Sequence, residues 1–343
     1  MDFDTPRKFR HSRISLKPAL LSVIGLVVAV LSGVGAWAQG RETEQGWPIK
    51  PVRMVVGFAG GGVFDVLGRS VAEKLAQYNG QAFVMDSRPG AGGDIGAGVV
   101  ARAEPDGYHL MFTPGSVLTM NPSLYARLPF NAGSFAPISL MADMAVLLVV
   151  DQKNPANTLS EFVSAAKRDP GKVFFSSPGV GTSLHLSIEL FQRSAGLAIQ
   201  HVPYKSGGEA VTAILSGQVT GMFANPPFVM SHIKAGTLRA LAVAGSTRLP
   251  ELPDIPTIGE AGLSDFDISS WFGLVAPAKT PHSLVTKLSA QVATALREPD
   301  VQQRLLNFGI RTIGSNPDDF AEFLRKDRAK WEGVIRASNI RLD

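Results

Sequence analysis

Val52-Arg53-Met54-Val55-Val56 runs straight into Gly57-Phe58-Ala59-Gly60-Gly61-Gly62-Val63-Phe64-Asp65, and this join decides the fold class. The apolar run reads as a strand, the glycines turn the chain, and Leu67, Val71 and Leu75 then recur at helical spacing. A strand feeding such a turn and a helix leaves backbone N–H groups unpaired at the positive end of the helix dipole. That arrangement suits an anion. The loop lacks the Lys-Ser/Thr ending of a nucleotide P-loop, and no G-x-G-x-x-G fingerprint occurs in the chain. The expected guest is therefore a smaller anion such as a carboxylate, and no cofactor is expected. A plainer reading of Gly60–Gly62, a tight turn that lets the helix pack close, needs no ligand. Asp65 reads as a first-turn carboxylate capping free N–H groups. Phe58 and Phe64 read either as a pocket wall or as core.

A second loop of the same kind follows the strand Val173–Ser176. Ser177-Pro178-Gly179-Val180-Gly181-Thr182-Ser183 leads into a helix on which Leu184, Ile188 and Phe191 form a stripe. Thr182 or Ser183 can cap that helix while its hydroxyl or N–H faces a ligand. Two strand-to-helix loops of this type point to a carboxylate held across a cleft. On the same helix His185 and Glu189 stand four apart and share a face. A metal site needs three or more ligands, and neither H-E-x-x-H nor a further partner is present, so a paired couple is expected and no metal. His201-Val202-Pro203-Tyr204-Lys205-Ser206-Gly207-Gly208 ends in a third glycine turn, from which Tyr204 could reach the cleft. There is no G-x-S-x-G elbow and no cysteine nucleophile. A Ser–His–acid triad gathered from distant residues stays open as a competing, hydrolytic reading.

The N-terminus points to export. Arg7, Lys8, Arg10, Arg13 and Lys17 precede an apolar run from Ala19 to Leu31, and Ala36-Trp37-Ala38 supplies the small-x-small cleavage pattern. Residues 1–38 are expected to be a signal peptide, because the run is short of the about 20 residues that a membrane span needs. The expected location is the periplasm. The chain's formal charge is +4, of which the segment 1–38 contributes +3 from five cations and two anions, leaving about +1. The basic balance thus belongs to the leader and gives no support to nucleic-acid binding. The chain has no cysteine, which excludes disulfides and thiolate metal sites. About 300 mature residues are enough for two domains.

The remaining strand candidates are Gln81–Met85, Tyr108–Phe112, Val146–Val150, Val219–Phe223, Leu238–Ala244 and Phe272–Val275, most of them continuous apolar runs. They alternate with amphipathic helices, including Leu284, Leu288, Val292 and Leu296 at four-residue spacing, so an α/β chain with largely parallel sheets is expected. Polar stretches near 150–155 and 262–271 mark two domain crossings. They divide the chain into 39–150 plus 271–343 and 151–270, two lobes with a hinge and a cleft between them.

Taken in order, the motifs resemble the Bug family, also called TctC, the periplasmic receptors of tripartite tricarboxylate transporters. The resemblance spans nearly the whole mature chain. It begins with Trp47-Pro48-Ile49-Lys50-Pro51-Val52-Arg53 and the first loop, and continues with Ser87-Arg88-Pro89-Gly90-Ala91-Gly92-Gly93-Asp94-Ile95-Gly96-Ala97 and Asn121-Pro122-Ser123-Leu124-Tyr125. Gly179–Leu186, His201–Lys205, Gly236–Val243, Leu252–Thr257 and Ala276–Pro281 complete it. The resemblance implies a two-lobed periplasmic-binding-protein fold of the Venus-flytrap, type II-like kind, without enzymatic activity. It also implies a monomer that delivers a small carboxylate, a di- or tricarboxylate or an aromatic one, to membrane permease subunits. Presentation of the ligand to a sensor kinase is the alternative.

By the same resemblance, the backbone of Ala59, Gly60, Gly61 and Gly62 and the Gly181-Thr182-Ser183 turn hold the carboxylate. Phe58, Phe64, Tyr204 and Asn225 flank it. Two departures stand out. The family's first loop commonly carries prolines where this chain has Gly57, Ala59 and Gly60, and Phe64 replaces a small polar residue. A bulky apolar side chain there points to a pocket altered in favour of an aromatic or otherwise apolar carboxylate. The amide of Asn225 adds no charge that would repel a second carboxylate.

Overall fold

The computed structural model describes residues 46–342 other than 61 and 265; the expected signal peptide and Gly61 lie outside the described residues. Met1–Ile49 and Lys50–Asp343 are separate units, and the second holds both sheets.

Its elements are β1 Val52–Val56, α1 Gly62–Asn79, β2 Phe83–Ser87, α2 Asp94–Ala101, β3 His109–Pro114, a π-turn Ser116–Met120, α3 Asn121–Leu124 and β4 Phe135–Ala145. Then come β5 Leu147–Asp151, α4 Leu159–Arg168, β6 Val173–Ser177, α5 Ser183–Ala195, β7 Ile199–Pro203, α6 Gly207–Leu215, β8 Gly221–Ala224, α7 Pro226–Lys234 and β9 Leu238–Val243. The chain closes with β10 Ser269–Pro277, α8 His282–Arg297, α9 Pro299–Leu306, β11 Ile310–Thr312 and α10 Pro317–Ser338.

These strands make two sheets flanked by helices, ordered β11-β4-β10-β3-β1-β2 and β7-β6-β8-β5-β9. β1 is parallel to β2 and β3, and β6 is parallel to β7 and β8, as the strand–loop–helix alternation requires. The other pairings are antiparallel, which corrects the expectation of largely parallel sheets. The reason lies in the crossings. β4 leaves the first sheet and β5 enters the second with only Val146 between them, and β10 returns beside β4 with Ser269 opposite Ala145. Of the crossing strands, β10 enters the first sheet and β5 enters the second against the βαβ direction. The change of sheet falls at Val146, so Leu147–Asp151 pairs in the second sheet rather than closing the first.

The cores follow from the apolar stripes. Leu67, Val71 and Leu75 of α1 are fully buried, as are Ile188 and Phe191 of α5. Phe175, Phe191, Phe223 and Phe266 build one aromatic cluster of the second sheet. α10 serves both sheets. Phe320 and Leu324 pack with Val55 and Trp271, whereas Trp331, Val334 and Ile335 pack with Leu184, Ile188 and Phe191. A single helix with its two halves in two cores ties the lobes together on one side.

Asp327 of α10 sits at that join. Its buried carboxylate accepts Trp271 Nε1–H at 3.0 Å, Trp331 Nε1–H at 3.1 Å and the Thr119 hydroxyl at 2.8 Å, with Lys330 Nζ at 3.0 Å. A buried charge with this many donors is satisfied, and it fixes two indoles in place.

Candidate functional site: a cleft between two helix starts

A cleft of about 300 Å³ lies where the first loop, the second loop and the crossing strands converge. From the first sheet's side it is lined by Phe58, Val63, Phe64, Ser116, Asn121, Trp271 and Phe272, and from the second by Val180, Gly181, Thr182 and Ser183. Asn225, Ser269 and Ser270 line it at the crossing. None of the lining residues is Asp, Glu, Lys, Arg or His. Two helices begin on this space. Val63 and Phe64 stand in the first turn of α1, Thr182 is the N-cap of α5, and Ser183 is its first residue. Their first-turn N–H groups have no intrahelical acceptor, and both dipoles present their positive ends.

The second loop is set by its side chains. Thr182 Oγ1 accepts His185 N–H at 3.2 Å and donates to the Gly179 carbonyl at 2.8 Å, which is the cap expected from the sequence. Gly179 and Gly181 have φ of 138° and 78°, in the region that favours glycine. A Cβ on Gly181 would strike Leu342, so the chain's last turn also shapes the loop.

The first loop is held by close backbone approach. A Cβ on Gly57 would run into the backbone of Gly93, and one on Gly96 would lie 2.8 Å from Gly57 Cα. The backbone at Gly57 thus lies directly against the Gly90–Gly96 segment beside it. Phe58 and Phe64 stack at 4.9 Å and 8°, and Phe64 meets Phe112 and Phe272 edge-on at 5.7 and 5.9 Å. Both readings of these rings hold together: they line the cleft and pack as one cluster.

Asn225 lines the cleft as well, whereas the remaining expected residues stand outside its lining. Asn225 Nδ2 donates to Ala145 O and to Ser270 Oγ, each at 3.0 Å, so its amide bridges the two crossing strands. Ala59, Gly60 and Gly62 are exposed and do not line the cleft. Asp65 pairs with Arg69 Nε at 3.1 Å, on its own helix. Tyr204 leans on the second sheet's core and its hydroxyl donates to Gln218 Oε1 at 3.3 Å, away from the lining residues.

Sequence reasoning did not single out Ser116, Asn121, Tyr125, Ser269, Ser270, Trp271 or Phe272 as site residues, although each lines the cleft. Asn121 had a readable signal. Its Nδ2 donates at 2.7 Å to Asp94, a buried carboxyl that burial raises above its ordinary range even against that hydrogen bond. Both residues sit in the quoted family motifs, but nothing local announced that they meet.

The hydrolytic reading can be tested on geometry. A serine–histidine contact does exist: Ser177 Oγ lies 2.6 Å from His201 Nε2. Ser177 is fully buried and also takes the Gly179 N–H at 3.1 Å. His201 is held down to about 4 by burial and then by the neighbouring His185, which makes it a poor base at neutral pH. Among the described residues no group of three or more His, Cys, Asp and Glu is placed to hold a metal ion.

The model for the tripartite tricarboxylate transporter family receptor, TctC, matches residues 67–340. The chain belongs to the TctC family. The Bordetella pertussis protein BugT is 34% identical over 325 residues, covering 94% of this chain and 98% of BugT. Among solved structures, an adipate-bound R. palustris protein, Rpa4515, is 32% identical with a TM-score of 0.74, covering 86% of this chain and 99% of its own. MatC from Rhodopseudomonas palustris, with bound malate, is 32% identical with a TM-score of 0.71, covering 84% and 100%. This TctC-family chain therefore has the α/β fold of the periplasmic binding proteins, with a sheet flanked by helices on each side of its cleft.

Proposed function

We propose that the chain is an exported, non-enzymatic receptor that binds one small carboxylate in this cleft, works as a monomer, and delivers its ligand to the permease of a tripartite tricarboxylate transporter. The two lobes are the two sheets with their helices, divided where the chain crosses near 146 and 268. The observation that carries the reading is the cleft itself: two helix starts aimed at one space with no charged side chain around it. Two sets of unpaired N–H groups match the lone pairs of a carboxylate, and the dipoles supply the positive potential that an arginine would otherwise provide.

Thr182 and Ser183 are the donors on one side and the first-turn N–H groups of Val63 and Phe64 those on the other. We place Ala59, Gly60 and Gly62 over the ligand when the lobes close. The same neutrality speaks about the ligand. A tricarboxylate would bring charges into the cleft that no cation offsets, whereas a single carboxylate on an apolar body meets donors at one end and Phe58, Phe64, Trp271 and Phe272 at the other. Adipate and malate, bound by the two relatives, are both small dicarboxylates, so a second carboxylate belongs in the ligand panel.

The test is a thermal-shift screen of the chain from Gln39 onward. The panel holds citrate, short dicarboxylates, amino acids and benzoate- and nicotinate-type acids, each with its amide as control. A ligand at 100 times its Kd should stabilise the folded state by about 2.7 kcal/mol. A shift lost in the matching amide is the expected result. A flat response to every acid would remove the carboxylate reading.

A further inference from the structure

Behind the second loop lies a stacked pair of histidines, His185 buried and His201 half-buried, that take no part in lining the cleft. His185 is 4% exposed, and its ring stacks on that of His201 with centroids 3.8 Å apart and planes 24° from parallel. Each ring reaches one end of the same turn. His185 Nδ1 accepts the Gly181 N–H at 3.1 Å, and His201 Nε2 meets Ser177 Oγ, which takes the Gly179 N–H.

We infer that His185 is the positioning residue of the ligand loop: neutral, with its proton on Nε2, it pins the Gly181 amide through Nδ1, and Glu189 holds it in that tautomer. This rests on the receptor reading only for its effect on ligand.

The chemistry leaves one assignment. A ring nitrogen that accepts a hydrogen bond carries no proton, so a neutral His185 must be protonated on Nε2. Nε2 faces Glu189 Oε1 at 3.6 Å, one helical turn on. Burial alone would raise the Glu189 carboxyl, but the interactions with His185, Ser338 and Gln192 reverse that and keep it below its ordinary value. Gln192 Nε2 donates to Glu189 Oε2 at 2.7 Å. The carboxylate is therefore anchored from its own helix and from the end of α10 before it acts on the imidazole. The ionisable groups acting on the pair are the two histidines on each other and Glu189.

The consequence for the loop is selective. With Gly181 N–H tied to His185 and His185 N–H tied to Thr182 Oγ1, the N–H groups left to a ligand are those of Thr182, Ser183 and Leu184 at the helix start. Releasing the Gly181 amide would free a turn whose φ is 78° and whose side-chain tie is His185.

Nitrogen-15 NMR of the mature chain tests this without any ligand. The expected result at pH 7 is an Nε2-protonated His185 and a Gly181 amide protected from exchange. In His185→Leu that amide should exchange at least tenfold faster. His185→Asn, whose Oδ1 replaces the Nδ1 acceptor, should restore most of the protection. A proton found on Nδ1, or equal exchange in the Leu and Asn variants, overturns the inference. Titrations with benzoate and adipate then read the effect on ligand. An acid that binds the parent should bind His185→Leu at least fivefold more weakly and His185→Asn nearly as well. Unchanged affinity in His185→Leu overturns the positioning role and leaves the receptor reading standing. Failure of both acids on the parent counts against the ligand class alone, because the tautomer and exchange results decide the clamp.

Discussion

Phe64→Ser removes the ring that most distinguishes this cleft, and its effects can be sized from the structure. Phe64 makes three ring contacts, with Phe58, Phe112 and Phe272. Aromatic pairs contribute about 0.5–1.5 kcal/mol each beyond area burial, so about 2–4 kcal/mol of stability should go with the ring. Its effect on binding is smaller and depends on the ligand. An aromatic acid lying on this wall covers about 40–60 Å² of Phe64, worth about 1–1.5 kcal/mol at about 25 cal/mol per Å². That predicts about a five- to tenfold loss of affinity. A short dicarboxylate such as succinate, held mainly at the helix starts, should lose about twofold or less. Calorimetric titration of both acids on parent and variant, at a temperature where both are folded, measures the contrast. Equal losses for the two acids would refute the reasoning, because Phe64 would then act through the shape of the loop and not as an apolar wall.

Asp327→Ala strands the Trp271, Trp331 and Thr119 donors in the interior and should cost about 3–5 kcal/mol, seen as a drop in Tm and in the urea midpoint. Because Trp271 also lines the cleft, affinity should fall in the same variant. Gly57→Ala puts a Cβ into the Gly93 backbone and should destabilise by about 2–4 kcal/mol, whereas alanine at Gly62, where a Cβ meets nothing within 4 Å, costs only the strain of its φ of 57°. His201 gives a pH dependence. Its ring is held down to about 4, below its ordinary value of about 6.5. Between these values the unfolded chain binds a proton that the folded chain refuses. Stability should be full above about pH 6.5 and fall as pH drops towards 4. Urea unfolding at several pH values should show that slope, and His201→Phe should flatten it by one proton's share.

The join at Val52–Asp65 was legible because strand, turn and helix are each local, and β1 is observed at Val52–Val56. The Thr182 cap was legible for the same reason. What could not be read depends on distant partners. β4, Phe135–Ala145, was missed because Pro137 and Asp143 interrupt its apolar run. Both are tolerated there: Pro137 lies opposite Val275 at a register shift, and Asp143 pairs with Arg311 of β11 at 2.6 Å. β7 is absent from the strand candidates because Ile199–Pro203 is short and carries a histidine whose partner, Ser177, lies 24 residues earlier. In the cleft, Trp271 and Asn121 were missed because Asp327 and Asp94, which orient them, are far apart in sequence.

The side chains nearest the ligand space are neutral, and the charges lie one layer behind. Asp94 stands behind Asn121, Asp327 behind Trp271, and Glu189 behind His185 and the Gly181 amide. A carboxylate at the cleft surface would repel an acid outright, and an arginine there would hold it by a strong charge-assisted pair that is slow to let go. Placed one layer back, each carboxylate instead orients a neutral donor or wall. For a receptor that must release what it binds, this division makes sense. Affinity comes from oriented donors and exclusion of water on closure, and opening the cleft is enough to return the ligand to solvent.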